Sequence, residues 1–166
     1  QCGSADVLAE LGVNLETPPE RVGQCIDEVG IGFLFAPALH GAMKHAIGPR
    51  RELATRTVFN VLGPLTNPAG ARCQLIGVYA ADLTEKIAGV LDQLGSERAF
   101  IVHGSDGLDE ITLTGTTRVS ELRNDQVSTR DISPADFGLQ AADASALKGG
   151  DAAANAQILR DVLGGK

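Results

Sequence analysis

Two adjacent carboxylates, Asp109 and Glu110, close the stretch His103-Gly104-Ser105-Asp106-Gly107-Leu108-Asp109-Glu110, directly after an apolar run that reads as a buried strand. In open α/β sheets, ligands bind beyond the carboxyl ends of strands. Hard oxygen ligands in such a place suit Mg²⁺, which takes one or two protein carboxylates together with phosphate oxygens and water. On spacing alone a solvated turn is the commoner identity of an Asp-Glu pair, so both readings stand at this point.

A second group is cationic. Lys44, His45, Arg50, Arg51 and Arg56 lie close together in a chain that is acidic overall. The planar fork of Arg matches both oxygens of a carboxylate, so this cluster could hold an organic acid. A basic helix face is the simpler account of the pattern by itself. His40 and His45 are five apart and miss the i, i+4 spacing of a metal-binding helix pair. His103 is a single histidine at a strand end and reads as structural. Gly3-Ser4 opens a helix and offers backbone N–H groups and a hydroxyl to a phosphate, although Ser is also the ordinary N-cap.

These residues need elements to carry them. Ser4 precedes a helical stripe of Val7, Leu8 and Leu11. Thr17-Pro18-Pro19-Glu20 starts a second helix with Val22, Cys25, Ile26 and Val29 on its apolar face, ended by Gly30. Gly32 to Ala36 reads as a short buried or extended piece, and Pro37 begins a third helix through Leu39, His40, Met43 and Ile47. Cys73 to Tyr79, Leu83 to Leu94 and Arg98 to Val102 form a βαβ unit whose strands are apolar enough for a parallel sheet. Glu110 to Leu113, Thr117 to Leu122 and Gln126 to Ile132 read as shorter, more polar strands near an edge. Ser133 to Ala146 is weakly specified, and Ala152 to Leu163 is a final helix.

One connector stands apart. In "RTVFNVLGPLTNPAG", Arg56 to Gly70, an apolar run enters Gly63-Pro64 and then a second break at Asn67-Pro68. Two prolines this close predict a stiff, turned backbone. Phe59, Val61, Leu62 and Leu65 nevertheless favour burial.

Composition excludes several classes. The chain has 166 residues, 43% hydrophobic and 21% charged, which is globular and fits one domain or part of one. A net charge of -7 argues against a general nucleic-acid surface. No run of about 18 apolar residues is present, so no membrane-spanning helix is expected. The three cysteines, Cys2, Cys25 and Cys73, are scattered without a CxxC, which disfavours zinc and disulfide frameworks and suits a reducing cytoplasm.

Three stretches, "CGSADVLAELGVNLETPPE", "EVGIGFLFAPALHGAMKHAIGPRRELATRTVFNVLGPLTNPAGA" and "GSDGLDEITLTGTT", together resemble the anthranilate phosphoribosyltransferase family of tryptophan biosynthesis. The resemblance implies an α/β fold, part of a nucleoside phosphorylase/phosphoribosyltransferase-like catalytic domain with a mostly parallel sheet flanked by helices. It implies transfer of phosphoribose from 5-phosphoribosyl 1-diphosphate to the amino group of anthranilate, with pyrophosphate leaving with Mg²⁺ assistance, in a homodimer. On the family pattern, Ser4 matches a serine that contacts the phosphoribosyl diphosphate, and Arg50 the arginine that grips anthranilate. Asp109 and Glu110 match an acidic pair that binds one Mg²⁺, and Gly63-Pro64 a turn beside the anthranilate site. No residue is implied as a nucleophile.

The match has departures. Pro49 stands where the family usually has Val, Ala54 where it has Gly, and Gly41 where it has Pro. The family's Gly-rich GTGGD loop, its KHGN segment and most of its helical dimerisation domain would lie before Gln1, and its last helices after Lys166. Residues 1–166 are therefore expected to be one partial catalytic domain, inactive alone. The alternatives are an enzyme like pyrimidine nucleoside phosphorylase, or a non-catalytic phosphate- or metal-binding remnant.

Overall fold

The structure, a computed structural model, describes residues 2–39 and 59–166. In chain order the elements are α1 (Ser4–Glu10), α2 (Pro19–Val29), α3 (Ala36–Leu39), α4 (Phe59–Leu65), β1 (Cys73–Gly77), α5 (Leu83–Gln93), β2 (Arg98–Gly104), β3 (Thr117–Arg123), β4 (Gln126–Ile132), and α6 (Ala152–Leu163). Two short 3₁₀ helices, Pro134–Phe137 and Ala144–Leu147, connect β4 to α6. The chain forms two compact units, one of Gln1–Arg56 with Lys148–Lys166, the other of Thr57–Leu147.

In the first unit, α1 packs on α6. Ser4 is the first residue of α1, and the cap is Gly3, whose N–H donates to Asp6 Oδ2 at 2.9 Å. Asp6 thus accepts the cap residue's own N–H, one half of a capping box, and the cap falls one residue earlier than the sequence predicts. Helix α6 begins where its pattern predicts, because the Asp151 carboxylate accepts from the Ala154 N–H at 2.9 Å. In α2 the predicted stripe is only partly covered. Val22 is buried, Cys25 and Ile26 are half-buried, and Val29 is 72% exposed. Gly32 to Phe35 belongs to no strand or helix among the described residues. The predicted third helix is described over Ala36–Leu39 only; His40, Met43 and Ile47 lie outside the described residues.

The second unit holds a four-stranded sheet in the order β1-β2-β3-β4. β1 and β2 are parallel and joined by α5, which is the predicted βαβ unit. β2–β3 and β3–β4 are antiparallel. Of the strand pairs described, only β1–β2 therefore shows the parallel arrangement expected of most of the sheet. The other two need no crossover helix, because β2 and β3 are joined by residues 105–116, and β3 and β4 by the two-residue turn Asn124-Asp125, both at positive φ (52° and 57°). The expected strand at Glu110 to Leu113 does not form.

The core lies between the sheet and α5. Ile76 and Val78, Ala99 and Ile101, and Leu122 from the strand segments meet Ile87, Ala88 and Leu91 from the helix. Leu91 is 1% exposed, so cutting it to Ala would cost about 2–5 kcal/mol. Helix α5 covers one sheet face only. That explains why β1, whose sequence reads as buried, alternates: Ile76 is buried, while Leu75 is 63% exposed. β3 reads as a polar edge, yet it is a central strand with Val119, Ser120 and Leu122 buried.

The proline-rich connector also differs from its reading. Gly63-Pro64 does not break the chain but sits inside α4. The break falls at Thr66-Asn67, where the Thr66 hydroxyl donates to the Leu62 and Gly63 carbonyls, both at 3.2 Å, and Asn67 Oδ1 accepts from the Ala69 N–H. Pro64 has no N–H to give to a carbonyl one turn back, and the helix ends one residue later, at Leu65. Leu65 packs against the core as expected, whereas Leu62 is 39% exposed.

Candidate functional site

β2 ends at Gly104, and the chain then makes a loop of residues 105–116 before pairing again as β3. Its first turn is closed by the Gly107 N–H on the Gly104 carbonyl (2.9 Å) and the Gly104 N–H on the Leu108 carbonyl (2.8 Å). Gly107 has φ +88°, a conformation that side chains disfavour. At the loop's base, the Ser105 N–H donates to the Thr116 carbonyl (2.8 Å), and the buried Thr112 donates its N–H to Thr117 Oγ1 (2.9 Å).

Asp106 organises the interior of this loop. Its Oδ2 accepts hydroxyl hydrogens from Thr112 and from Thr114, the latter at 2.6 Å. Its Oδ1 accepts the Leu108 N–H at 3.1 Å. Thr112 Oγ1 in turn accepts the Thr114 N–H at 3.0 Å. The Thr112 and Thr114 hydroxyls together hold the Asp106 carboxyl down at about 2, so it is a carboxylate at any physiological pH. Sequence reading passes over this residue. The signal is present as Asp106-Gly107 followed by Thr112 and Thr114, one acceptor-rich turn residue and two hydroxyls on alternate positions.

Asp109 and Glu110 are exposed and line a hollow of about 380 Å³ with Leu75, Gly77, Val102 and Ile111. The hollow lies at the ends of β1 and β2, the strand-end position that sequence reading assigns. No ion pair or hydrogen bond to either carboxyl group is found among the described residues. Two carboxylates with no ion pair among the described residues fit a divalent cation that keeps several waters and finds its other ligands on a substrate. They do not make a closed cage: among the described residues no three His, Cys, Asp or Glu side chains come together as a metal site.

The other assigned residues fall elsewhere. Ser4 is exposed at the start of α1 in the first unit. Arg50 lies outside the described residues, with Lys44, His45, Arg51, Arg56 and the departures Gly41, Pro49 and Ala54. His103, read as structural, donates its Nδ1–H to the Val78 carbonyl at 2.8 Å. Pro64, Leu65 and Asn67 line a separate hollow of about 350 Å³ with Arg72, Gln74 and Ser96. The three cysteines are free thiols. No described helix is long and apolar enough to cross a membrane.

The βαβ unit and its four-stranded sheet define an α/β domain, and residues 1–166 match the model of the glycosyl transferase family, a/b domain. The chain belongs to that family. It is 63% identical over 165 residues to the anthranilate phosphoribosyltransferase of Trichlorobacter lovleyi, covering 99% of this chain and 47% of that protein. Among solved structures, anthranilate phosphoribosyltransferase from Thermus thermophilus superposes with a TM-score of 0.90 at 48% identity, over 97% of this chain and 47% of that one. The Saccharomyces cerevisiae enzyme in complex with PRPP and Mg superposes with a TM-score of 0.86 at 32% identity, over 96% and 45% of the two chains. The chain thus spans about half the length of the curated relatives it matches.

Proposed function

We propose that this chain is the central stretch of the catalytic domain of an anthranilate phosphoribosyltransferase. The enzyme would carry phosphoribose from 5-phosphoribosyl 1-diphosphate to the amine of anthranilate, giving N-(5-phosphoribosyl)anthranilate and pyrophosphate in tryptophan biosynthesis. The observation that carries this reading is 63% identity across 165 residues to a protein of that name. The Asp109–Glu110 couple at the strand ends, without an ion pair among the described residues, agrees with it. A cytoplasmic homodimer is the corresponding setting for the complete protein.

Each residue has a physical task in this reading. Arg50 pairs its guanidinium with the anthranilate carboxylate and so aims the amine at the sugar C1. Ser4 contacts the phosphoribosyl diphosphate. Gly63-Pro64 lies beside the anthranilate site. Asp109 and Glu110 hold Mg²⁺, which when bound offsets the negative charge of the departing diphosphate. No side chain acts as a nucleophile, because the aromatic amine is already unprotonated at neutral pH. Catalysis is therefore orientation of two substrates plus stabilisation of leaving-group charge.

The test is direct. The complete parent protein is incubated with anthranilate, 5-phosphoribosyl 1-diphosphate and Mg²⁺, and loss of anthranilate fluorescence is followed. Consumption of anthranilate that needs both the diphosphate and the metal is expected. Inertness towards anthranilate, with cleavage of a pyrimidine nucleoside by inorganic phosphate, would overturn the reading.

A further inference from the structure

The loop that carries Asp109 and Glu110 is fixed at two points that make no use of either carboxylate. The first is Asp106, whose two oxygens gather the Leu108 N–H and the Thr112 and Thr114 hydroxyls. These partners lie on both sides of Asp109-Glu110 in the chain, so one side chain ties the entry of the segment to its exit. The second is Gly77 at the end of β1. A β-carbon there would overlap the Asp109 carbonyl oxygen and stand 2.7 Å from its carbonyl carbon. Only a residue without a side chain lets the Asp109 backbone lie across the end of that strand. Thr112 is itself 4% exposed and anchored to β3 through Thr117, so the tie at Asp106 is referred back to the sheet.

We propose that Asp106 and Gly77 are positioning residues that together set where Asp109 and Glu110 present their oxygens. The inference rests on the reading of that pair as the cation ligands. Asp106 does not touch the cation. It acts by holding the backbone on either side of the ligands, the kind of outer support whose loss typically weakens metal binding about 10- to 100-fold. Gly77 acts by leaving space. Its replacement must push the Asp109 carbonyl away from β1 and carry the side chain with it.

The test uses the complete parent protein with Asp106→Ala, Asp106→Asn, Gly77→Ala and the double change Asp109→Asn/Glu110→Gln. Two quantities are read: the Mg²⁺ concentration for half-maximal rate, and backbone hydrogen exchange of the 105–116 segment without metal. Asp106→Ala is expected to raise the Mg²⁺ requirement about tenfold or more, to speed exchange in 105–116, and to leave exchange in β3 unchanged. Asp106→Asn keeps an oxygen for the Leu108 N–H and should fall between. Gly77→Ala should raise the Mg²⁺ requirement in the same direction. In the Asp109→Asn/Glu110→Gln background, Asp106→Ala should raise it no further, because the two act through one route.

The ways of failing are separable. If the Asp109→Asn/Glu110→Gln protein keeps the wild-type Mg²⁺ curve, the metal assignment falls. If it loses that curve while Asp106→Ala and Gly77→Ala both keep it, the metal assignment stands and the positioning role is wrong. Equal loosening of β3 and of the loop would also overturn it, since Asp106 would then support the sheet as a whole. Should the alanine variants not fold, a wild-type Mg²⁺ requirement in Asp106→Asn sinks the proposal, and a raised one supports it.

Discussion

His103 and Val78 stand 25 residues apart in the chain and meet through a 2.8 Å hydrogen bond from the imidazole Nδ1–H to the backbone carbonyl. The bond fastens the end of β2 to the chain just leaving β1, at the end of the sheet where Asp109 lies. Replacing His103 with Phe keeps a ring of similar bulk but leaves the Val78 carbonyl without that donor. A loss of about 1–3 kcal/mol in unfolding free energy is expected from urea titration. An unchanged midpoint would show that water supplies the missing donor.

The carboxylate pair makes the functional prediction with opposite outcomes for its two readings. If Asp109 and Glu110 form only a solvated turn, Asp109→Asn/Glu110→Gln should change stability by less than about 0.5 kcal/mol and leave turnover intact. As cation ligands, their removal should lower the rate of the complete parent steeply while the metal-free protein folds as well as before, since two like charges are relieved. Mg²⁺ titration of the rate distinguishes the two.

Arg50→Ala should act on one substrate. In the proposed function, the anthranilate carboxylate would then lose a charge-assisted, two-pronged partner. The Michaelis constant for anthranilate should rise strongly, with little change for the phosphoribosyl donor. Equal damage to both would assign Arg50 to structure.

Acid should expose Asp106. Its folded carboxyl, held at about 2 by the Thr112 and Thr114 hydroxyls, lies below the ordinary value of 3.8. A group depressed in this way adds stability above its unfolded value, and that contribution fades as the pH falls through its folded one. The stability gap between wild type and Asp106→Asn should therefore be full above about pH 4 and close towards pH 2. A gap of constant size over that range would count against the hydrogen-bond network. Glu121 points the same way. Its carboxylate is bridged by Arg130 at 3.0 Å and Arg98 at 3.1 Å, and its value is lowered by Arg130 first.

The β3–β4 turn offers a stabilising change. Asp125 sits at φ 57°, a region natural to Gly and only tolerated by Asp. Asp125→Gly would give the Asn-Gly pair that two-residue hairpins favour, and should raise stability by up to about 1 kcal/mol. Thermal unfolding of the two proteins checks the sign.

The sequence reveals most where pattern and local chemistry agree. Helix α6 is located to the residue because Asp151 and an apolar stripe mark the same start. The βαβ unit follows from two apolar runs around the Leu83–Gln93 helix. The strand-end position of Asp109 and Glu110 comes with it. What is hidden depends on which faces a neighbour covers. β1 looks buried because Leu75 is apolar, yet α5 reaches only the opposite face. β3 looks like an edge because Thr117, Arg118 and Glu121 are polar, yet β4 closes it from outside. The segment from Glu110 to Leu113 has strand-forming residues, but Thr112 spends its N–H on a Thr117 side chain, so no ladder can start there. Asp106 is obscure for a different reason: turn chemistry reaches only Leu108, two residues on, while its hydroxyl partners are six and eight residues ahead.

The pairing of Gly104 with Thr117 also bears on the order in which the molecule assembles. The β3–β4 hairpin closes over two residues and can form in about 1–10 μs. Joining β2 to it must close the 105–116 segment, and joining β1 to β2 must close a longer excursion through α5, each at a larger cost in chain entropy. On that ground the Asn124-Asp125 turn is expected to form before the carboxylate loop closes. Thr112 is tied to β3 through the Thr117 hydroxyl, so the Asp106 contacts are held in place by the β2–β3 pairing. A protein that slipped its strand pairing by one residue would carry every residue of the candidate site and still have no site.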